Sequence, residues 1–88
     1  MEKMIVQERD LDLKNNVFID NKKYLLSTVA LGVKHPGCMR YKSMVFAYNK
    51  NGKITLIDLY CEKYKTKKEA MYGHERLLFY LEAGVKIW

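Results

Sequence analysis

The stretch Thr66–Gly84, TKKEAMYGHERLLFYLEAG, carries a helix start, a helical apolar period and a helix stop. Thr66 followed by Glu69 is a capping box, in which each side chain satisfies the other's free backbone N–H. Ala70, His74, Leu77, Leu78 and Leu81 then recur at offsets of four, seven, eight and eleven. At about 100° per residue they fall on one stripe. Gly84 follows the last apolar turn and suits the left-handed position that ends helices. The pattern predicts a helix over about 67–83. Gly73 flanks the stripe at a cost of roughly 1 kcal/mol against Ala, which points to a close approach of a neighbouring strand.

The opposite side of this helix is not the charged face of an ordinary surface helix. Tyr72, Arg76, Phe79 and Ala83 lie there at offsets of four, seven and eleven. Tyrosine, phenylalanine and arginine are the residue types favoured as interface anchors. Tyr72, Arg76 and Phe79 are therefore the candidate partner-binding residues. The alternative is that the two aromatics are singly exposed or covered by the N-terminal segment.

Upstream of the helix the pattern is β. Tyr41–Tyr48 and Ile54–Cys61 flank Asn51–Gly52, the strongest short hairpin signal. A type I′ turn there sets Lys50 opposite Lys53, Phe46 opposite Ile57, Met44 opposite Leu59 and Val45 opposite Asp58. Met44, Phe46, Ile57 and Leu59 are then expected to face the helix. Val45, Ala47, Ile54 and Leu56 form a second apolar face, for the N-terminal segment or a partner to cover. Cys61, at alternation spacing, reads as a small core residue. Earlier still, Val17–Ile19, the polar turn Asp20–Lys23 and Tyr24–Val33 read as another hairpin. The two hairpins span about 17–33 and 42–61. Met4–Val6 could add an edge strand or a docked arm. Val85–Trp88 could add a last strand or tuck Trp88 against the sheet. The expected fold is α+β: an antiparallel sheet of four to five strands with one C-terminal helix across one face.

Eighty-eight residues make one domain with a modest core. Apolar residues at 49 % and charged residues at 30 % exclude a disordered chain. The sequence contains no apolar run long enough to span a membrane and no early hydrophobic block of a signal peptide. Cys38 and Cys61 have no metal-type spacing and read as reduced thiols, which fits a cytoplasmic protein. The net charge of +6 suits an acidic partner, nucleic acid or a nucleotide. The lysines are scattered, however, and Arg9, Arg40 and Arg76 are the only arginines. Tyr24, Tyr41, Tyr48, Tyr60 and Tyr64 could stack bases, although β-propensity alone places tyrosines on strands.

The loop 34–40, KHPGCMR, concentrates a histidine, a thiol and Arg40 beside a Pro–Gly turn. His35, Arg40 and His74 are the candidate ligand- or nucleotide-binding residues. His35 and His74 with a carboxylate could hold a metal or move protons, but no HExxH or CxxC-type signature accompanies them. His74, on an apolar stripe, reads more simply as a core histidine with both ring nitrogens hydrogen-bonded. No phosphate-cradling glycine loop or other cofactor motif is present, so no cofactor is expected and enzymatic activity is the minority reading.

Three segments together resemble a family. They are Ser27-Thr28-Val29 with His35 downstream, then Tyr41-Lys42-Ser43-Met44-Val45-Phe46, then Tyr64-Lys65-Thr66 through Glu69-Ala70 to Gly73-His74-Glu75. In this order they are similar to small proteins of unassigned activity encoded by tailed bacteriophages, over roughly residues 27–75. This chain departs at Lys42, where the family pattern has Glu, and at Ser43, where it has Thr. If that Glu served as a ligand or base, this chain lacks it. The resemblance implies a phage or prophage origin and an intracellular role in infection, with no reaction attached. The expected function is a non-enzymatic binding protein acting on a host or anti-phage defence protein. Nucleotide or nucleic-acid binding is the first alternative and a metal-dependent enzyme on His35 and His74 the second. A homo-oligomer is compatible with all three.

Overall fold

The computed structural model describes residues 11–31 and 39–88. Four strands, β1 (Asp12–Ile19), β2 (Lys22–Ala30), β3 (Tyr41–Ala47) and β4 (Tyr60–Tyr64), form one antiparallel sheet in the order β1-β2-β3-β4. The helix α1 (Lys67–Glu82) packs across one face and touches all four strands. This is the α+β architecture expected from the sequence. Residues Met4–Val6 and Val33 lie outside the described residues, and with them the readings placed on them.

The first hairpin turns on Asp20 and Asn21, at φ 53° and 67°. Both angles are left-handed, as a type I′ turn requires, and Asp and Asn tolerate them best after glycine. Ile19 pairs with Lys22, and the ladder continues to Asp12 opposite Val29. β1 therefore starts five residues before the apolar run Val17–Ile19. The polar Asn15 breaks that run's alternation on the helix-facing side.

The second hairpin departs from its expected form. Only Gly52 adopts positive φ, at 78°. The Asn49 side chain accepts from the Asn51 and Lys53 backbone N–H groups at 2.9 and 3.0 Å. The Asn49 N–H donates to the Lys53 carbonyl at 2.7 Å. These bonds hold a three-residue loop with glycine in the left-handed position instead of a two-residue type I′ turn. Tyr48 then bridges Ile54, and the second strand leaves the ladder. It returns with Val45 opposite Tyr60 and Met44 opposite Cys61. Leu56 and Ile57 bulge outward, 96 % and 79 % exposed. The expected pairs Phe46–Ile57, Met44–Leu59 and Val45–Asp58 are thus absent.

The face assignment is corrected as well. Tyr41, Ser43 and Val45 are fully buried beneath α1, and by strand alternation Met44 and Phe46 point to the other side. Both faces of β3 are comparably apolar, so alternation alone does not choose between them. Cys61 shares the outer side and is exposed, not a core residue.

Both ends of α1 follow their sequence signals. Glu69 N–H donates to Thr66 Oγ1 at 3.1 Å and Thr66 N–H donates to Glu69 Oε1 at 3.2 Å. At the other end Gly84 N–H reaches the Leu81 carbonyl and Val85 N–H the Tyr80 carbonyl, both at 3.0 Å. This is a Schellman closure with Gly84 at φ 85°. Leu77 and Leu81 pack with Val17, Ile19, Tyr24, Leu26 and Val45. Ala70 packs in a second cluster with Leu11, Tyr41 and Tyr64. The tail forms no strand. Ile87 joins the first cluster, and the Trp88 ring lies 5.0 Å from that of Tyr24.

Candidate functional site

Between the two apolar clusters runs a line of polar side chains. Tyr64 Oη donates to Ser43 Oγ at 3.0 Å. Ser43 Oγ lies 2.5 Å from Thr28 Oγ1, and Thr28 Oγ1 lies 2.6 Å from His74 Nδ1. His74 Nε2 lies 2.7 Å from Asn15 Oδ1. Each strand and the helix contribute one member. The two ends fix the direction of every bond. Asn15 Oδ1 only accepts, so Nε2 carries the ring proton and donates to it. In the neutral ring Nδ1 then accepts from Thr28, whose oxygen accepts from Ser43, whose oxygen accepts from Tyr64. His74 is 4 % exposed, and burial holds it below its ordinary value of 6.5, opposed by the Glu75 carboxylate. It is the hydrogen-bonded core histidine that its place on the stripe suggests. Neither nitrogen is available to a metal while these bonds stand. Among the described residues no group of three His, Cys, Asp or Glu side chains could hold one.

Tyr64 reaches Ser43 because Gly73 has no side chain. A Cβ at Gly73 would sit 2.4 Å from Tyr64 Oη and 2.5 Å from Cε1 and Cζ. The close approach expected at this glycine is therefore made by β4. Burial raises the Tyr64 phenol to about 12, with the Ser43 bond acting the other way.

An open groove of about 500 Å³ lies over this point, between β4 and α1. Tyr64, Gly73, Tyr72, Arg76, Glu62 and Met39 line it. Arg76 donates to Glu62 Oε2, and Tyr60 Oη donates to Glu62 Oε1 at 2.7 Å. That second bond is the main reason the Tyr60 phenol is raised. Glu69, also in the lining, is committed to the helix cap. The groove's arginine thus faces a carboxylate that already neutralises it.

Tyr72 and Phe79 stand on the outer side of α1, 72 % and 70 % exposed. Phe79 meets Tyr80 edge-on, with ring centroids 5.8 Å apart. Of the proposed anchors, Tyr72 and Arg76 share the groove, and Phe79 is absent from its lining. Of the proposed ligand residues, His35 lies outside the described residues and so does Cys38. Arg40 precedes β3; its N–H donates to the Tyr64 carbonyl at 2.9 Å, and its carbonyl accepts from Leu31 N–H. The stacking platform read from five tyrosines does not form, because Tyr24, Tyr41 and Tyr64 are interior. Sequence reasoning missed Asn15, Thr28 and Ser43, whose partners lie far away along the chain. Asn15 on an otherwise apolar alternation was the one visible signal.

No helix among the described residues is long and apolar enough to cross a membrane. No family model, curated protein or solved structure matches the chain.

Proposed function

We propose that the domain is a non-enzymatic binding protein that engages another protein through the outer side of α1. Tyr72 and Phe79 would be its anchors, with Arg76 in the adjoining groove. The observation that carries this reading is the exposure of Tyr72 and Phe79, with Met71 and Tyr80 also exposed, on a sixteen-residue helix. Aromatic side chains of this size gain most from being covered, and arginine beside them adds a directional donor. Arg76 is held by Glu62, so little side-chain freedom is lost on docking. The net charge of +6 favours an acidic partner. The bacteriophage resemblance would make that partner a host or defence protein met in the host cytoplasm.

The test is capture with tagged protein from host cells, alongside Tyr72→Ala/Phe79→Ala. A stoichiometric partner retained by the parent and lost by the double variant supports the reading. A partner held equally by both, or none at all, refutes it. Light scattering of the purified protein separates a second copy of the chain from a different partner. The metal-enzyme reading is disfavoured by the occupied nitrogens of His74.

A further inference from the structure

A second groove, of about 800 Å³, opens where residues of both hairpin turns meet the C-terminal tail. Its apolar wall is Tyr24, Ala47, Leu59 and Trp88, and its rim carries Lys22, Lys23 and Lys50. No acidic side chain lines it. Among the described residues no carboxylate pairs with any of the three lysines. Lys23 Nζ instead lies over the Tyr48 ring, 4.5 Å from its centroid. That contact holds the Lys23 ammonium on the outer side of the sheet, since Lys23 alternates with the inward-facing Tyr24. Trp88 rests one side against Tyr24 and stays 39 % exposed. The groove by α1 differs in that Glu62 and Glu69 line it as well as Lys63, Lys65 and Arg76, and Glu62 already pairs with Arg76.

We propose that this second groove binds a nucleotide, with the base against Trp88 and the phosphate between Lys22 and Lys50. Three features support the assignment. The volume falls within the range of small-molecule sites. An aromatic wall accepts the face of any base, since every base has a π-face. Two ammonium groups, Lys22 and Lys50, supply charge-assisted hydrogen bonds to phosphate oxygens, and no acidic side chain lines the groove to repel the anion. Neither half suffices alone. Lysines without a ring would take any anion, and the ring without lysines would take any flat apolar molecule. The same chemistry can arrive as a free nucleotide or as the terminal nucleotide of a strand.

The test uses the full chain, whose single tryptophan reports on the site directly. AMP, adenosine, inorganic phosphate and a short 5′-phosphorylated single strand are titrated against the Trp88 fluorescence and its indole N–H resonance. The expected result is a saturable response to AMP at concentrations where adenosine and phosphate alone give none. Lys22→Gln/Lys50→Gln should weaken AMP at least ~tenfold while leaving the Trp88 resonance of the free protein in place. If the strand binds and AMP competes with it at Trp88, the physiological ligand is a strand end and the site stands. No response to AMP, a response equal to that of phosphate, or strand binding that leaves Trp88 unmoved would overturn the proposal. Tyr72→Ala/Phe79→Ala should bind AMP as the parent does, so this site and the α1 face fail or survive separately.

Discussion

Gly73→Ala is the substitution for which local propensity and tertiary packing predict opposite signs. In an exposed helix the change stabilises by about 1 kcal/mol. Here the new methyl would sit 2.4 Å from Tyr64 Oη and 2.5 Å from two ring carbons. Ordinary carbon contacts begin nearly 1 Å further out, at about 3.5 Å. The phenol cannot yield by a small rotation, because Tyr64 is buried and its hydroxyl is bonded to Ser43. Forcing a methyl into a packed site costs typically 1–3 kcal/mol. Displacing the ring also breaks the Tyr64–Ser43 bond, worth about 1 kcal/mol. Set against the propensity gain, the net is a loss of about 1–3 kcal/mol. For a domain of this length each kcal/mol lowers the midpoint by about 4–8 °C. Urea and thermal unfolding of the variant measure this. In a Tyr64→Leu background the same change should cost markedly less, because the clashing ring has gone. A Gly73→Ala protein as stable as the parent, or more stable, would refute the packing argument.

The remaining predictions concern the polar chain, the cap and the α1 surface. The folded-state value of His74 lies below its ordinary 6.5, so the unfolded chain takes up the proton first. Stability should be fully present above pH 6.5 and decline from there toward the depressed folded-state value; urea midpoints across that window should lose this slope in His74→Gln. Thr28→Val strands both His74 Nδ1 and Ser43 in the interior and should cost about 1–3 kcal/mol by denaturant unfolding. Long-range nitrogen–proton NMR at neutral pH should find the His74 proton on Nε2, and a proton on Nδ1 would contradict the bond directions assigned above. Thr66→Ala should cost about 1 kcal/mol through loss of the capping box. Tyr72→Ala/Phe79→Ala should stay within about 0.5 kcal/mol of the parent in each position's contribution, so that any loss of partner binding reflects the surface and not the fold.

The signals legible in the sequence were those closed by bonds within a few residues. Thr66 and Glu69 cap α1, Gly84 ends it, and Asp20–Asn21 turns the first hairpin. Asn51–Gly52 was misread for a related reason. The deciding residue, Asn49, sits just outside the dipeptide, and its side chain accepts two backbone N–H groups that favour the longer loop. Once that loop forms, Leu56 and Ile57 leave the ladder, and apolar spacing in ITLIDLY no longer reports pairing. The first groove was half legible, through Tyr72 and Arg76. The second was not, because its lysines are scattered in sequence and meet only where both turns and the tail converge.

The choice of face on β3 has a different origin. Side chains at 42, 44 and 46 and at 41, 43, 45 and 47 offer similar apolar area, so burial alone leaves the sheet free to present either side to α1. The hydroxyls remove that freedom. Ser43 must stand opposite Thr28, and Thr28 must reach His74, for all three to be fully satisfied once α1 covers them. A slip of one residue between β2 and β3 would place Lys42 or Met44 opposite Thr28 and leave the Ser43 hydroxyl without its acceptor. Each buried group so stranded costs about 1–3 kcal/mol, a large share of the stability of a domain this small. The same demand accounts for Asn15, which interrupts the apolar alternation of β1 at the one place where Nε2 needs an acceptor. The polar chain therefore adds little to net stability by itself. Its effect is to make every neighbouring register and the opposite face worse, and so to select one pairing of four strands and one helix from several of nearly equal hydrophobic merit.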